Sequence, residues 1–118
     1  MNMTQIRNGA LIVCATIPLA THAADILSED RARTMAIQIL KGDPYGKTAR
    51  DVTQNLRSSQ LVMNGGIMCG DRKTSTPVWQ FRVVVPANRN PDGKTIDGYL
   101  VLDGRTGKMV CAGLSFLD

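Results

Sequence analysis

Val78-Trp79-Gln80-Phe81-Arg82-Val83-Val84-Val85 is the stretch that decides the fold of this 118-residue chain. Trp79, Phe81, Val83 and Val85 fall on one face of an extended strand, with Gln80 and Arg82 on the other. That period of two belongs to a half-buried strand with one wet face. Pro86 ends it, because proline has no amide to give to a ladder. A strand of this kind needs antiparallel neighbours and something to cover its apolar face.

The neighbours lie downstream. Asn88 to Gly93 is a turn-rich connection, and Gly98 to Asp103 (GYLVLD) reads as the next strand. Gly104-Arg105-Thr106-Gly107 is a tight turn with residues that tolerate positive φ, and Lys108 to Cys111 is the return strand. Gly113 to Leu117 is a candidate edge strand, able to accept a strand from a partner. Upstream, Leu61-Val62-Met63 reads as a short strand ending at Asn64-Gly65-Gly66. Ile67 to Cys69 reads as its continuation or as a separate strand, and Gly70 to Pro77 as loop.

The cover comes from the N-terminal part. Ser28 is a good N-cap, and Glu29 and Asp30 put acids in the first turn, where the helix dipole favours them. Ala32, Met35, Ala36, Ile39 and Leu40 recur at amphipathic spacing, and Gly42 and Pro44 are stop signals, which predicts a helix over 29–41. Thr48 with Asp51 forms a capping-box-like start, and Ala49, Val52 and Leu56 share one face, which predicts a second helix over 49–58. The class is therefore α+β: one or two N-terminal helices packed on a curved antiparallel sheet of three to five strands.

Met1 to Ala23 reads as a secretory signal peptide. Arg7 is followed by the apolar run Gly9 to Ala20, and the small residues Thr21 and Ala23 place cleavage before Ala24. The run is about 12 residues against the roughly 20 needed to span a bilayer, so no stable membrane insertion is expected after cleavage. The expected product, residues 24–118, is a single small domain, periplasmic or secreted. It lacks Cys14 and His22, the chain's one histidine, and retains Cys69 and Cys111. Two cysteines in an exported domain predict one disulfide, because oxidising compartments drive thiols to pair. Removing Arg7 from the 14 basic residues leaves 13 against 10 acidic ones, a mild excess. The charges are interleaved and the aromatics few, which argues against a nucleic-acid partner.

Chemistry is scarce. Nucleophilic cysteine needs a base, normally histidine, and a zinc site needs more ligands than two cysteines, so no catalytic residue, metal or cofactor is expected. Asp92, Asp97 and Asp103 offer carboxylates, but each sits where a turn already accounts for it. Gly42 to Thr48 (GDPYGKT) is one residue short of a phosphate loop and follows a helix rather than a strand. A milder reading makes Gly46, Lys47, Thr48 and Arg50 candidate contacts for an anion or a partner at the start of the second helix.

Trp79 to Val85 followed by Tyr99 to Lys108 resembles the PepSY domains of exported bacterial proteins over roughly residues 79–110. The likeness lies in an aromatic-x-hydrophobic strand and a strand ending in Asp, a small residue and a Thr-Gly-Lys turn. It implies a binding or inhibitory role at the cell envelope and no catalytic residues. The expected function is a non-enzymatic binding or accessory module with an envelope protein partner. The alternatives are a small secreted hydrolase using aspartates or a Ser/Lys pair, and a self-associating structural component of the envelope.

Overall fold

A computed structural model describes residues 25–115 and residue 117. The signal-peptide reading, with Cys14, His22 and the Ala23–Ala24 junction, lies outside the described residues. Helix α1 spans Glu29–Leu40, and the Ser28 hydroxyl accepts from the Arg31 amide at 3.3 Å. It buries Ala32, Ala36 and Leu40, one apolar stripe. Helix α2 spans Ala49–Asn55, with the Thr48 hydroxyl accepting from the Asp51 amide at 3.2 Å.

Strand β1 (Leu56–Val62) follows α2 without a loop. Then come β2 (Met68–Cys69), β3 (Arg72–Lys73), β4 (Val78–Val85), β5 (Ile96–Asp103) and β6 (Met109–Ala112). Four strands form an antiparallel sheet in the order β1-β4-β5-β6, while β2 and β3 pair as a separate hairpin. The fold is α+β, with the helices N-terminal to the strands.

Three expectations are corrected. The second helix stops at Asn55 rather than 58, and β1 begins at Leu56, five residues before the expected strand. Leu56 is buried opposite Val83, and the polar residues behind it complete the ladder along β4. A bulge between Leu56 and Ser58 hides the alternation that marks a strand. Arg72–Lys73, expected to be loop, pairs with Met68–Cys69 across Gly70-Asp71. Gly113 to Leu117 adds no strand among its described residues. Leu114 turns into the core instead, 4% exposed, and the Ser115 carbonyl accepts a short hydrogen bond from the Tyr45 hydroxyl.

The core lies between the helices and one face of the sheet. Trp79, Phe81, Val83 and Val85 meet Leu100, Leu102, Ala32, Ala36, Leu40, Val52 and Leu114. The Trp79 indole donates to the Leu27 carbonyl at 3.0 Å and its ring stacks near Phe81, which places Trp79 in the core. Gly98 is required by close approach: a Cβ there would stand 2.3 Å from the Gly113 carbonyl oxygen and 2.8 Å from Leu114. That contact lets the C-terminal segment cross the end of the core.

Candidate functional site

The opposite face of the sheet carries the site. By register it presents Ser58 and Gln60 from β1, Gln80 and Arg82 from β4, Asp97, Tyr99 and Val101 from β5, and Cys111 from β6. Strand alternation dictates this set, since residues paired directly across an antiparallel ladder point to the same face. Val78 and Val101 are nonetheless buried, because the segment between β1 and β4 folds back over that end of the face. The tip of this segment is joined to the sheet by the Cys69–Cys111 disulfide, with Cα atoms 6.1 Å apart and 42 positions between them. At its base the Thr74 amide donates to the Ile67 carbonyl at 2.8 Å, and the Ile67 amide donates to the Thr74 hydroxyl at 3.0 Å.

Between hairpin and sheet runs a groove of about 520 Å³. Gln80, Tyr99 and Val101 line its sheet side, Ile67 and Met68 its hairpin side, and the disulfide one end. Met68, Tyr99, Met109 and Val110 are 41–57% exposed, an unusual gathering of large apolar side chains beside one strand. That strand, β6, has β5 on one side and no strand on the other among the described residues. On the helix side of β6, a shallow depression is lined by Met35, Ile39, Lys108 and Met109.

Charge on this face is largely committed. Arg82 and Asp97 form a bidentate pair at 2.7 and 3.1 Å, whose hydrogen bonds and charge hold Asp97 below the ordinary carboxylate range and push Arg82 up. Asp103 accepts from the Thr106 amide at 2.9 Å and the Arg105 amide at 2.8 Å, and these bonds lower its pKa. The six residues from Asp97 to Asp103 span about 20 Å along β5, beyond the ~5–9.5 Å of a glycosidase carboxylate pair. Asp92 sits apart, its amide bound by the Asn90 side chain in a turn. Among the described residues no cluster of three or more His, Cys, Asp or Glu side chains can hold a metal, and no helix is long and apolar enough to cross a membrane.

Gly46, Lys47, Thr48 and Arg50 are adjacent in the structure, but their surroundings are mixed in sign. Lys47 faces Asp43 at 3.9 Å, and Asp51 occupies the first turn of α2. Thr48 is used as the cap, and Gly46 lies so close to the turn that a Cβ would meet the Val52 nitrogen at 2.7 Å. A cleft of about 280 Å³ next to them includes Asp43, Lys47, Asp51, Asn55 and Arg89. The Asn55 side chain, buried there, donates to the Tyr45 carbonyl at 2.8 Å and accepts from Arg89 at 3.4 Å.

Sequence reasoning missed a contact between α1 and β1. The Ser59 hydroxyl donates a short hydrogen bond to the Glu29 carboxylate, which also faces Arg33 at 3.4 Å. The Ser59 bond, then Arg33, lowers the Glu29 pKa, which makes this carboxylate a poor base for activating the serine. The trio reads as a clamp between helix and sheet. The groove was missed too, although methionines in polar loops and Gly98-Tyr99 inside an alternating strand were its visible traces. No protein-family model matches this chain, and no curated protein or solved structure matches it.

Proposed function

We propose that this chain is a non-enzymatic exported binding or accessory module, periplasmic or secreted, acting as an inhibitor of or subunit for a protein of the cell envelope. The observation that carries this reading is the groove beside β6, lined by half-exposed Met68 and Tyr99, with Met109 and Val110 exposed on β6 itself. Apolar surface gathered at a concave strip is what protein interfaces bury. The Cys69–Cys111 bond supports the exported setting, because such bonds persist in oxidising compartments. The β4–β5 hairpin and its Asp103 turn are the part of the chain that resembles PepSY domains, whose roles are of this binding kind. The separation of Asp97 and Asp103, the ion pair that holds Asp97 and the turn amides that hold Asp103 weigh against the hydrolase alternative.

Affinity capture from envelope extract tests the reading, with the oxidised domain from Ala24 as bait. Recovery of one envelope protein in stoichiometric amount is the expected result. Steady turnover of a substrate by the domain, abolished by replacing Asp97 or Asp103, would overturn it. Intact mass of the exported form tests the leader: the expected species begins at Ala24, and a product still carrying Met1 refutes cleavage.

A further inference from the structure

The two edges of the sheet are both bulged, but they differ in the chemistry of their side chains. At β1 the side chains are Arg57, Ser58, Gln60 and their neighbours, and a bulge follows Leu56. Charge and bulges are how sheets blunt their edges. At β6 the residues are Met109, Val110, Cys111 and Ala112, with no charge among them. The Gly113 amide donates to the Tyr99 carbonyl at 3.0 Å, and Val101 is opposite Cys111. Alternation of an antiparallel ladder therefore turns the Ala112 amide and carbonyl away from β5. Val110 is the extra residue between the pairs Leu102–Met109 and Val101–Cys111, so it too stands outside the ladder. The bulge keeps the receptive stretch short, about Val110 to Gly113.

Both sides of this edge accept apolar side chains. A strand laid against it would direct one row into the groove, toward Met68, Tyr99 and the disulfide, and the other toward Met35, Ile39 and Met109. The exposed charge around it is predominantly basic. Lys108 is exposed where β6 begins, and Arg72 and Lys73 are exposed on β3, the strand paired to Met68 and Cys69. The acids nearby are Asp71, on the same hairpin, and Asp103, which its own turn engages. Two copies docked edge to edge would gather their cations, which disfavours a second copy as occupant.

We propose that β6 is the docking edge of the binding module, and that it takes an extended peptide segment of the partner with apolar residues at its centre and acidic residues at its ends. The inference rests on the binding reading above and specifies where and what the module binds.

The test uses the oxidised domain from Ala24 with two N-acetylated octapeptides, Glu-Glu-Val-Phe-Val-Ile-Glu-Glu and its counterpart with lysine at the four ends. The acidic peptide should bind at least about tenfold tighter at low salt, with the preference shrinking as salt is raised. Amide NMR shifts should centre on Val110 and Ala112. Lys108→Glu should weaken the acidic peptide roughly threefold to tenfold. Ala112→Pro, which removes the outward amide, should abolish binding with the far-UV spectrum retained. Should that variant misfold, Val110→Asp serves in its place. Equal binding of both peptides, shifts centred near Arg82 or the α2 cleft, or no binding by either peptide would overturn the proposal. So would self-association through Val110 and Ala112 that the acidic peptide does not disperse. An envelope protein that is captured equally by the native domain and by Lys108→Glu and Val110→Asp would refute this edge while leaving the binding-module reading standing.

Discussion

Phe81 and Tyr99 lie on adjacent strands, yet one is fully buried and the other about half exposed. The side chain of Phe81 enters the face backed by α1 and α2, where Trp79, Leu100 and Leu102 surround it and Arg33 lies 6.0 Å from its ring centre. Tyr99 points to the other face, which among the described residues is covered at one end by the 63–77 segment and open at the other. The first face is held by many apolar contacts contributed by two helices and four strands. The second is capped by a small hairpin that hydrogen-bonds to itself and is linked to the sheet through Cys69–Cys111. Burial makes the first face stable and inaccessible. A covalent tether holds this hairpin against the sheet, with the groove between them.

Phe81→Ala tests the first half of this contrast and should have the largest effect, about 3–5 kcal/mol, a large part of a small domain's stability. Tyr99→Ala, of similar size change but half exposed, should lose less than about 1 kcal/mol in the same urea titration. Comparable losses at both positions would erase the distinction between the faces.

Replacing both cysteines by alanine should lower stability by about 2–5 kcal/mol, since a closed loop of this length restrains the unfolded chain. The informative readout is where protection from hydrogen exchange is lost. Amides of residues 67–74 should become exchangeable while those of β4 and β5 remain protected relative to the new global stability. Uniform loss across the molecule would mean that the hairpin and the sheet open together.

Gly98→Ala should cost about 1–3 kcal/mol by overpacking, because the new methyl has no room beside the Gly113 carbonyl and Leu114. NMR shifts at Leu114 and Tyr45 should follow, since the crossing segment carries the carbonyl that Tyr45 binds.

Asp103→Ala should cost about 0.5–2 kcal/mol through the loss of an acceptor for two turn amides, in the manner of a lost cap. The sign of its pH dependence follows from its depressed pKa. The unfolded chain takes up the proton near pH 3.9, so the carboxylate's contribution is full above about that value and is lost as pH falls through the lower folded value. Asp103→Asn should flatten this acid limb of the stability profile. The smallest effect belongs to Arg82→Gln, whose ion pair with Asp97 is half exposed and screened by salt. Its unfolding midpoint should match the native one at moderate salt.

Several parts of this molecule were legible because their signals are local. The alternation through Val78–Val85 and the 3.6-residue spacing through Ala32, Ala36 and Leu40 each report one element's buried face, whatever it packs against. The pairing of Cys69 with Cys111 was legible from the cysteine count of residues 24–118. The boundary at Leu56 was not legible: Leu56 continues the helical spacing of Ala49 and Val52, and only the ladder with Val83 makes it a strand. Tertiary pairing overrides a short helix because seven residues gain little from their own hydrogen bonds.

The sequence by itself determined the class of the fold, the direction in which β4 presents its apolar side chains, and the thiols available to close a bond. Only the tertiary structure decided that Leu114 and Ser115 leave the sheet, because Leu114 gains more from the core than from an exposed edge. By leaving, this segment makes β6 the last strand of the sheet among the described residues. The groove likewise exists only after residues 67–70, 80, 98, 99, 101 and 111–113 have been brought together. No periodicity within a single segment can encode such a site, since its walls come from strands that meet through the register of a folded sheet.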